Sequence, residues 1–181
     1  MTVVHAFLLC FCSIHCVRHV STTTKGFDLT NINCSSYNQK YLEFAVCKVD
    51  TPQNSMAILN VVARLLETAV SIKTRVKVFR KARKIYRPFI YDDILDLCEF
   101  VKGMGHKRFV IWALAYPLVL KYTNANHTCP YEPQDIVARN FTLNSKFSNM
   151  MPLPKGKYRV HIVFILNNAK RGIIVVDCER N

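Results

Sequence analysis

A mainly β fold is what this sequence predicts: a β-sandwich with one helical segment, stapled by disulfides. Three observations predict it. Several short stretches alternate apolar and polar residues and are separated by turn residues, the pattern of half-buried strands. One stretch, residues 107–122, has the length and apolar content of a helix. Cys98 and Cys129 bracket that stretch and suit a staple across it.

Residues 1–22 read as a secretory signal, with cleavage somewhere within residues 16–26, and residues 23–181 as a single domain. The apolar run 6–17 fits the roughly 7–15 residues a signal requires and falls short of the roughly 20 needed to span a membrane. Its n-region carries no Lys or Arg, only His5. The chain beyond the signal is long enough to build one sizeable core. It contains Cys34, Cys47, Cys98, Cys129 and Cys178, with no C-x-x-C spacing. That scatter favours disulfides in an oxidising compartment over a zinc ribbon or a redox motif. An odd number leaves at least one thiol free or shared between chains. Glycosylation acceptors at Asn126 and Asn140, with a third sequon at Asn33, agree with secretion. The formal charge of +13 favours anionic partners, and secretion argues against nucleic acid among them.

In chain order, residues 28–34 alternate as a strand, a turn-rich connector comes next, and residues 41–49 form a second strand. A hairpin of these two would place Cys34 nearly opposite Cys47; the competing arrangement joins either one to Cys178. Residues 56–67 suit a helix by propensity and a strand by their neighbours. From residue 70 the alternation is clean, with Ile72, Thr74, Val76 and Val78 on one face and Ser71, Lys73, Arg75 and Lys77 on the other. Basic residues continue as Arg80, Lys81, Arg83, Lys84 and Arg87. The next strand starts at Arg87 and carries Asp92, Asp93, Asp96 and Cys98; a turn at Gly103 and Gly105 leads into the helix. Pro117 is expected to kink or split that helix. Further strands are expected at 135–143, 158–165 and 173–178, the last two joined by a turn over 167–172.

No nucleophile elbow, P-loop, dinucleotide fingerprint or zinc-protease motif is present, and no enzyme activity, metal or cofactor is expected. The three aspartates read as solvated or salt-bridged, and His127 as a hydrogen-bonding loop residue. The basic set Lys73, Arg75, Lys77, Arg80, Lys81, Arg83 and Lys84 suits a solvated sheet face, or a surface that docks on anionic headgroups, glycans or an acidic receptor. Phe109, Trp112, Tyr116 and Leu120 are the ligand-pocket candidates; the sequence reads equally well with that segment as plain core.

Several pieces occur in order that together resemble a known family: Asn31-Ile32-Asn33-Cys34, Phe44 with Cys47, residues 91–98, Asn126-His127-Thr128-Cys129-Pro130-Tyr131, and Leu153-Pro154-Lys155-Gly156-Lys157-Tyr158. The chain is similar to a large insect family, abundant in flies, of small secreted proteins of unknown function related to the CheB-type chemosensory proteins. That family is distantly similar to the ML lipid-recognition domain, an immunoglobulin-like, ganglioside-activator-type sandwich. The resemblance implies two sheets that splay to hold a lipid, with Cys34, Cys47, Cys98 and Cys129 as the matching cysteines. Pro117 and Cys178 depart from the pattern. The expectation is a secreted, extracellular binding protein for a lipid or other small hydrophobic ligand, with a role in chemosensation. The alternative is an accessory protein acting through its basic surface on a membrane receptor, a channel, an anionic glycan or a membrane.

Overall fold

The computed structural model describes residues 26–53, 55–103, 110–143, 148, 151 and 153–181, and among them are eight strands, in two antiparallel sheets, and two helices. The expected signal, residues 1–22, lies outside the described residues. In chain order the elements are β1 (Phe27–Ser36), β2 (Leu42–Asp50), β3 (Ile58–Leu65), β4 (Ile72–Ala82), β5 (Ile85–Asp96), α1 (Leu97–Val101), α2 (Val110–Tyr122), β6 (Gln134–Phe141), β7 (Gly156–Leu166) and β8 (Ala169–Arg180). One sheet has the order β1-β8-β7-β4-β5 and the other β2-β3-β6.

The ambiguous residues 56–67 resolve as β3, the central strand of the smaller sheet, paired on both sides by β2 and β6. Pairing of Val61 and Val62 with two neighbours outweighs the helix propensity of Ala63 and Leu65. The β7–β8 hairpin is tighter than the expected six-residue turn. Asn167 and Asn168 both take left-handed φ, at 49° and 60°, as a two-residue hairpin requires, and Leu166 already faces Ala169.

Three expectations need correction. First, β1 and β2 are not a hairpin but lie in opposite sheets, so Cys34–Cys47 is a staple between sheets, with its Cα atoms 6.1 Å apart. Cys178 takes no part in a disulfide and is buried. Second, β5 stops at Asp96, whose carboxylate accepts from the Glu99 amide at 3.2 Å and caps α1. Cys98 therefore belongs to a helical turn, bonded to Cys129 across 5.5 Å between Cα atoms, and the chain between β5 and β6 carries α1 as well as α2 where one helix was expected. Third, of the kink or split expected at Pro117, the split does not occur: α2 continues through it, although the proline deprives the Ala113 carbonyl of its amide donor.

The helices carry the chain from β5, an edge of one sheet, to β6, an edge of the other. Asn124, just past α2, protects that second edge: it accepts from the Val137 amide at 2.8 Å and donates to the Asp135 carbonyl at 2.8 Å.

At the Cys34–Cys47 end the sheets approach closely. A β-carbon on Gly172 would lie 2.8 Å from Leu42 Cδ2, 3.1 Å from Phe44 Cε2 and 3.3 Å from the Ser35 carbonyl. Gly172 is thus the point on β8 where β2 lies against it. Gly172→Ala is expected to destabilise by about 1–3 kcal/mol, the usual range for overpacking, measured by urea unfolding. An unchanged midpoint would mean the sheets part there freely.

Candidate ligand cavity

Inward-facing residues of the two sheets, with Tyr41, Ala69 and Tyr131 from the connections, form two packed clusters. Phe27, Leu29, Leu59, Val61, Val78, Tyr158, Val176 and Cys178 make one; Tyr41, Leu42, Leu65, Ala69, Ile72, Tyr131 and Leu166 make the other. Between them the central strands should carry the best-buried side chains. Instead Val76, Ile162 and Phe164 face inward yet remain only half-buried. They border a cavity of about 510 Å³ that both sheets and α2 line.

The wall is almost wholly apolar. No Asp, Glu, Lys, Arg or His lines it among the described residues. Its polar groups are mostly satisfied elsewhere. The Tyr158 hydroxyl donates to the Pro154 carbonyl at 2.5 Å, and the Tyr131 hydroxyl donates to the His127 carbonyl at 2.9 Å. Burial pushes the Cys178 thiol up to about 12, so it stays protonated and unreactive. Arg180, stacked over the Phe27 ring at 5.5 Å, donates to the carbonyls of Met151 and Leu153, two residues of the cavity wall.

Two polar atoms differ. The Tyr91 hydroxyl and the Trp112 indole N–H are buried and have no hydrogen-bond partner among the described residues. Burial, with Asp93 nearby, pushes the Tyr91 phenol up to about 12; the adjacent Trp112 N–H, able to donate to the ionised oxygen, offsets part of that rise.

Of the pocket candidates, Trp112 borders the cavity, joined by Ala115, Leu118 and Val119 at helical spacing on one face of α2. Tyr116 points elsewhere, edge-on to Phe100 at 5.2 Å, and Leu120 is 45 % exposed; neither borders the cavity. Phe109 lies outside the described residues. Sequence reasoning placed Val76 on an inward face but missed Tyr91, Ile162 and Phe164 as cavity wall. Their alternation was visible, yet an inward residue reads the same whether it meets a side chain or a void.

The basic set does not form one free surface. Asp92 binds Arg75 through two bonds, at 2.7 and 2.9 Å, and also Lys77 at 3.1 Å. Arg80 donates to the Lys155 carbonyl at 3.0 Å and lies over the Phe89 ring; Lys81 lies over Tyr86. Lys73 is half-buried on β4. Arg83 and Lys84 form the exposed tip between β4 and β5, with no carboxylate partner among the described residues. Asn126 and Asn140 are exposed. His127 stacks on Tyr131 at 3.9 Å.

The hydrogen-bonding Arg75 guanidinium, with Lys77, holds the Asp92 carboxyl down at about 2, against a smaller opposing effect of burial. A lowered carboxylate pKa stabilises the fold above the unfolded-state value and loses that contribution as pH falls through the folded value. The stability gap between the natural chain and Asp92→Asn should therefore be constant above about pH 4 and close as pH falls toward about 2. Thermal melts across that range read it. A gap that ignores pH would mean the pair contributes nothing.

Residues 74–160 match the model of a family described as Protein of unknown function (DUF1091). No curated protein matches the chain. Among solved structures, the chain is similar to a Niemann-Pick type C2 protein from the Japanese carpenter ant, at 10% identity and a TM-score of 0.32, over 85% of this chain and 91% of that one.

Proposed function

We propose that this chain binds a lipid or other small hydrophobic ligand between its two sheets, and acts by binding rather than by catalysis. The cavity carries this reading. Its volume of about 510 Å³ falls in the range of ligand sites, about 300–1,000 Å³, and its wall has the matching apolar character. An apolar wall left facing water in an open cavity is unfavourable, and an apolar ligand filling the space removes that cost.

An extracellular setting fits the two disulfides and the exposed sequons at Asn126 and Asn140. No helix among the described residues is long and apolar enough to cross a membrane. Residues 1–22 then serve as the export signal, and a chemosensory role is what the sequence resemblance implies.

Trp112 is the single tryptophan and borders the cavity, so its emission reports occupancy. Titrating a long-chain alcohol should change that emission saturably, with one site per chain. A linear, unsaturable response would count against the reading.

One observation favours a second reading for the hairpin tip. Arg83, Lys84 and Arg87 are exposed there beside Ile85, itself 54 % exposed, a mixture suited to an anionic lipid surface. Salt-sensitive binding to vesicles containing phosphatidylserine, lost when these cations are neutralised, is the result expected of it.

A further inference from the structure

The Tyr91 phenol and the Trp112 indole are neighbours on the cavity wall, and each keeps a buried polar atom that no group of the described chain satisfies. A buried donor without a partner is costly, and native proteins rarely leave two side by side. The buried hydroxyls of the other two tyrosines on the wall, Tyr131 and Tyr158, are both bonded to carbonyls.

Their position matters as much as their chemistry. Tyr91 is next to Ile90 on β5, the edge strand. Ile90 borders the cavity while 71 % exposed, so it marks the rim where the cavity meets solvent. Its φ of 43° is an outlier for a β-branched residue, held by an irregularity in pairing that puts two extra residues on β5 between Pro88 and Asp92. The unpaired donors thus lie just inside the rim, while Val76, Ile162 and Phe164 make the wall of the central strands apolar.

Resting on the reading of the cavity as a ligand site, we infer that Tyr91 and Trp112 form a polar anchor for the single oxygen of an otherwise apolar, uncharged ligand: a ketone, aldehyde or alcohol. An acceptor oxygen takes the indole N–H and the phenol O–H together. A ligand hydroxyl accepts from Trp112 and donates to Tyr91. The oxygen sits near the rim and the hydrocarbon tail extends inward. An ionised carboxylate or phosphate is disfavoured because no cation lines the cavity to offset its desolvation.

The test measures displacement of a neutral, polarity-sensitive dye from the full chain by four probes of one chain length: the hydrocarbon, the ketone, the primary alcohol and the ionised carboxylic acid. The natural chain should prefer ketone and alcohol over hydrocarbon by roughly five- to hundredfold, the span a satisfied buried hydrogen bond commands. The carboxylate should bind weakest of the oxygenated probes. Tyr91→Phe, which keeps the ring and removes one hydroxyl, should collapse most of that preference. Trp112→Phe should do the same, and Tyr91→Phe decides alone if that variant fails to fold. Equal binding of hydrocarbon and ketone, a preference that survives Tyr91→Phe, or tightest binding of the carboxylate would overturn the anchor and leave the cavity reading standing. Failure of every probe, hydrocarbon included, would overturn both.

Discussion

Replacing Cys98 and Cys129 together with serine is expected to lower stability by about 4 kcal/mol. The two residues are 31 apart in sequence, and loop-closure entropy alone gives that figure for a loop of this length. For a domain of this size each kcal/mol corresponds to roughly 2–4 °C, so the melting temperature should fall by about 8–16 °C. The position of the bond adds to this. It joins α1, at the end of edge strand β5, to the loop before edge strand β6, closing the helical excursion between the sheets. Losing Cys34–Cys47 should cost less, about 3 kcal/mol, because only 13 residues separate that pair. Thermal or urea unfolding of both double variants reads the order directly. Equal melting temperatures for the natural chain and the Cys98/Cys129 variant would reject the bond as a structural element.

The second large effect falls on binding. Val76 lies mid-strand on β4, flanked by β5 and β7, and its inward side chain is half-buried because it borders the cavity. In a filled core, a tryptophan at this position would force neighbours off their rotamers and cost about 1–3 kcal/mol or more. Here the indole has a cavity of about 510 Å³ to enter. Val76→Trp is therefore expected to hold or raise the melting temperature while reducing affinity for a long-chain alcohol at least a hundredfold. Severe destabilisation would mean that the interior of the sandwich is already packed.

Much of this fold was legible because its signals are local. The alternation of Ile72, Thr74, Val76 and Val78 against Lys73, Arg75 and Lys77 fixes which face of β4 looks inward, and the structure places those four apolar-face residues on the cavity wall. The assignment of β1 and β2 to different sheets was not legible. Strand pattern is identical whether a neighbour in sequence pairs edge to edge or crosses to the facing sheet, and the turn-rich connector at residues 35–40 permits either. The basic run misled in a different way. Read as a row of like charges, it conceals Asp92, which the β4–β5 register sets directly across from Lys77 and diagonally from Arg75. Within α2, uniform apolarity hid which side faces the cavity; only the packing separates Trp112, Ala115, Leu118 and Val119 from the outward Leu120. Tyr91 carried no signal at all, since a tyrosine on a strand is ordinary until its hydroxyl is found without a partner.

Whether the space between the sheets holds a ligand is decided by native mass spectrometry of the chain secreted from a eukaryotic host, followed by organic extraction. A discrete apolar adduct is expected, at one per chain, that disappears on denaturation and is missing from Val76→Trp. A bare mass for the natural chain, unchanged after incubation with hydrocarbons, alcohols and ketones, would contradict a ligand site between the sheets.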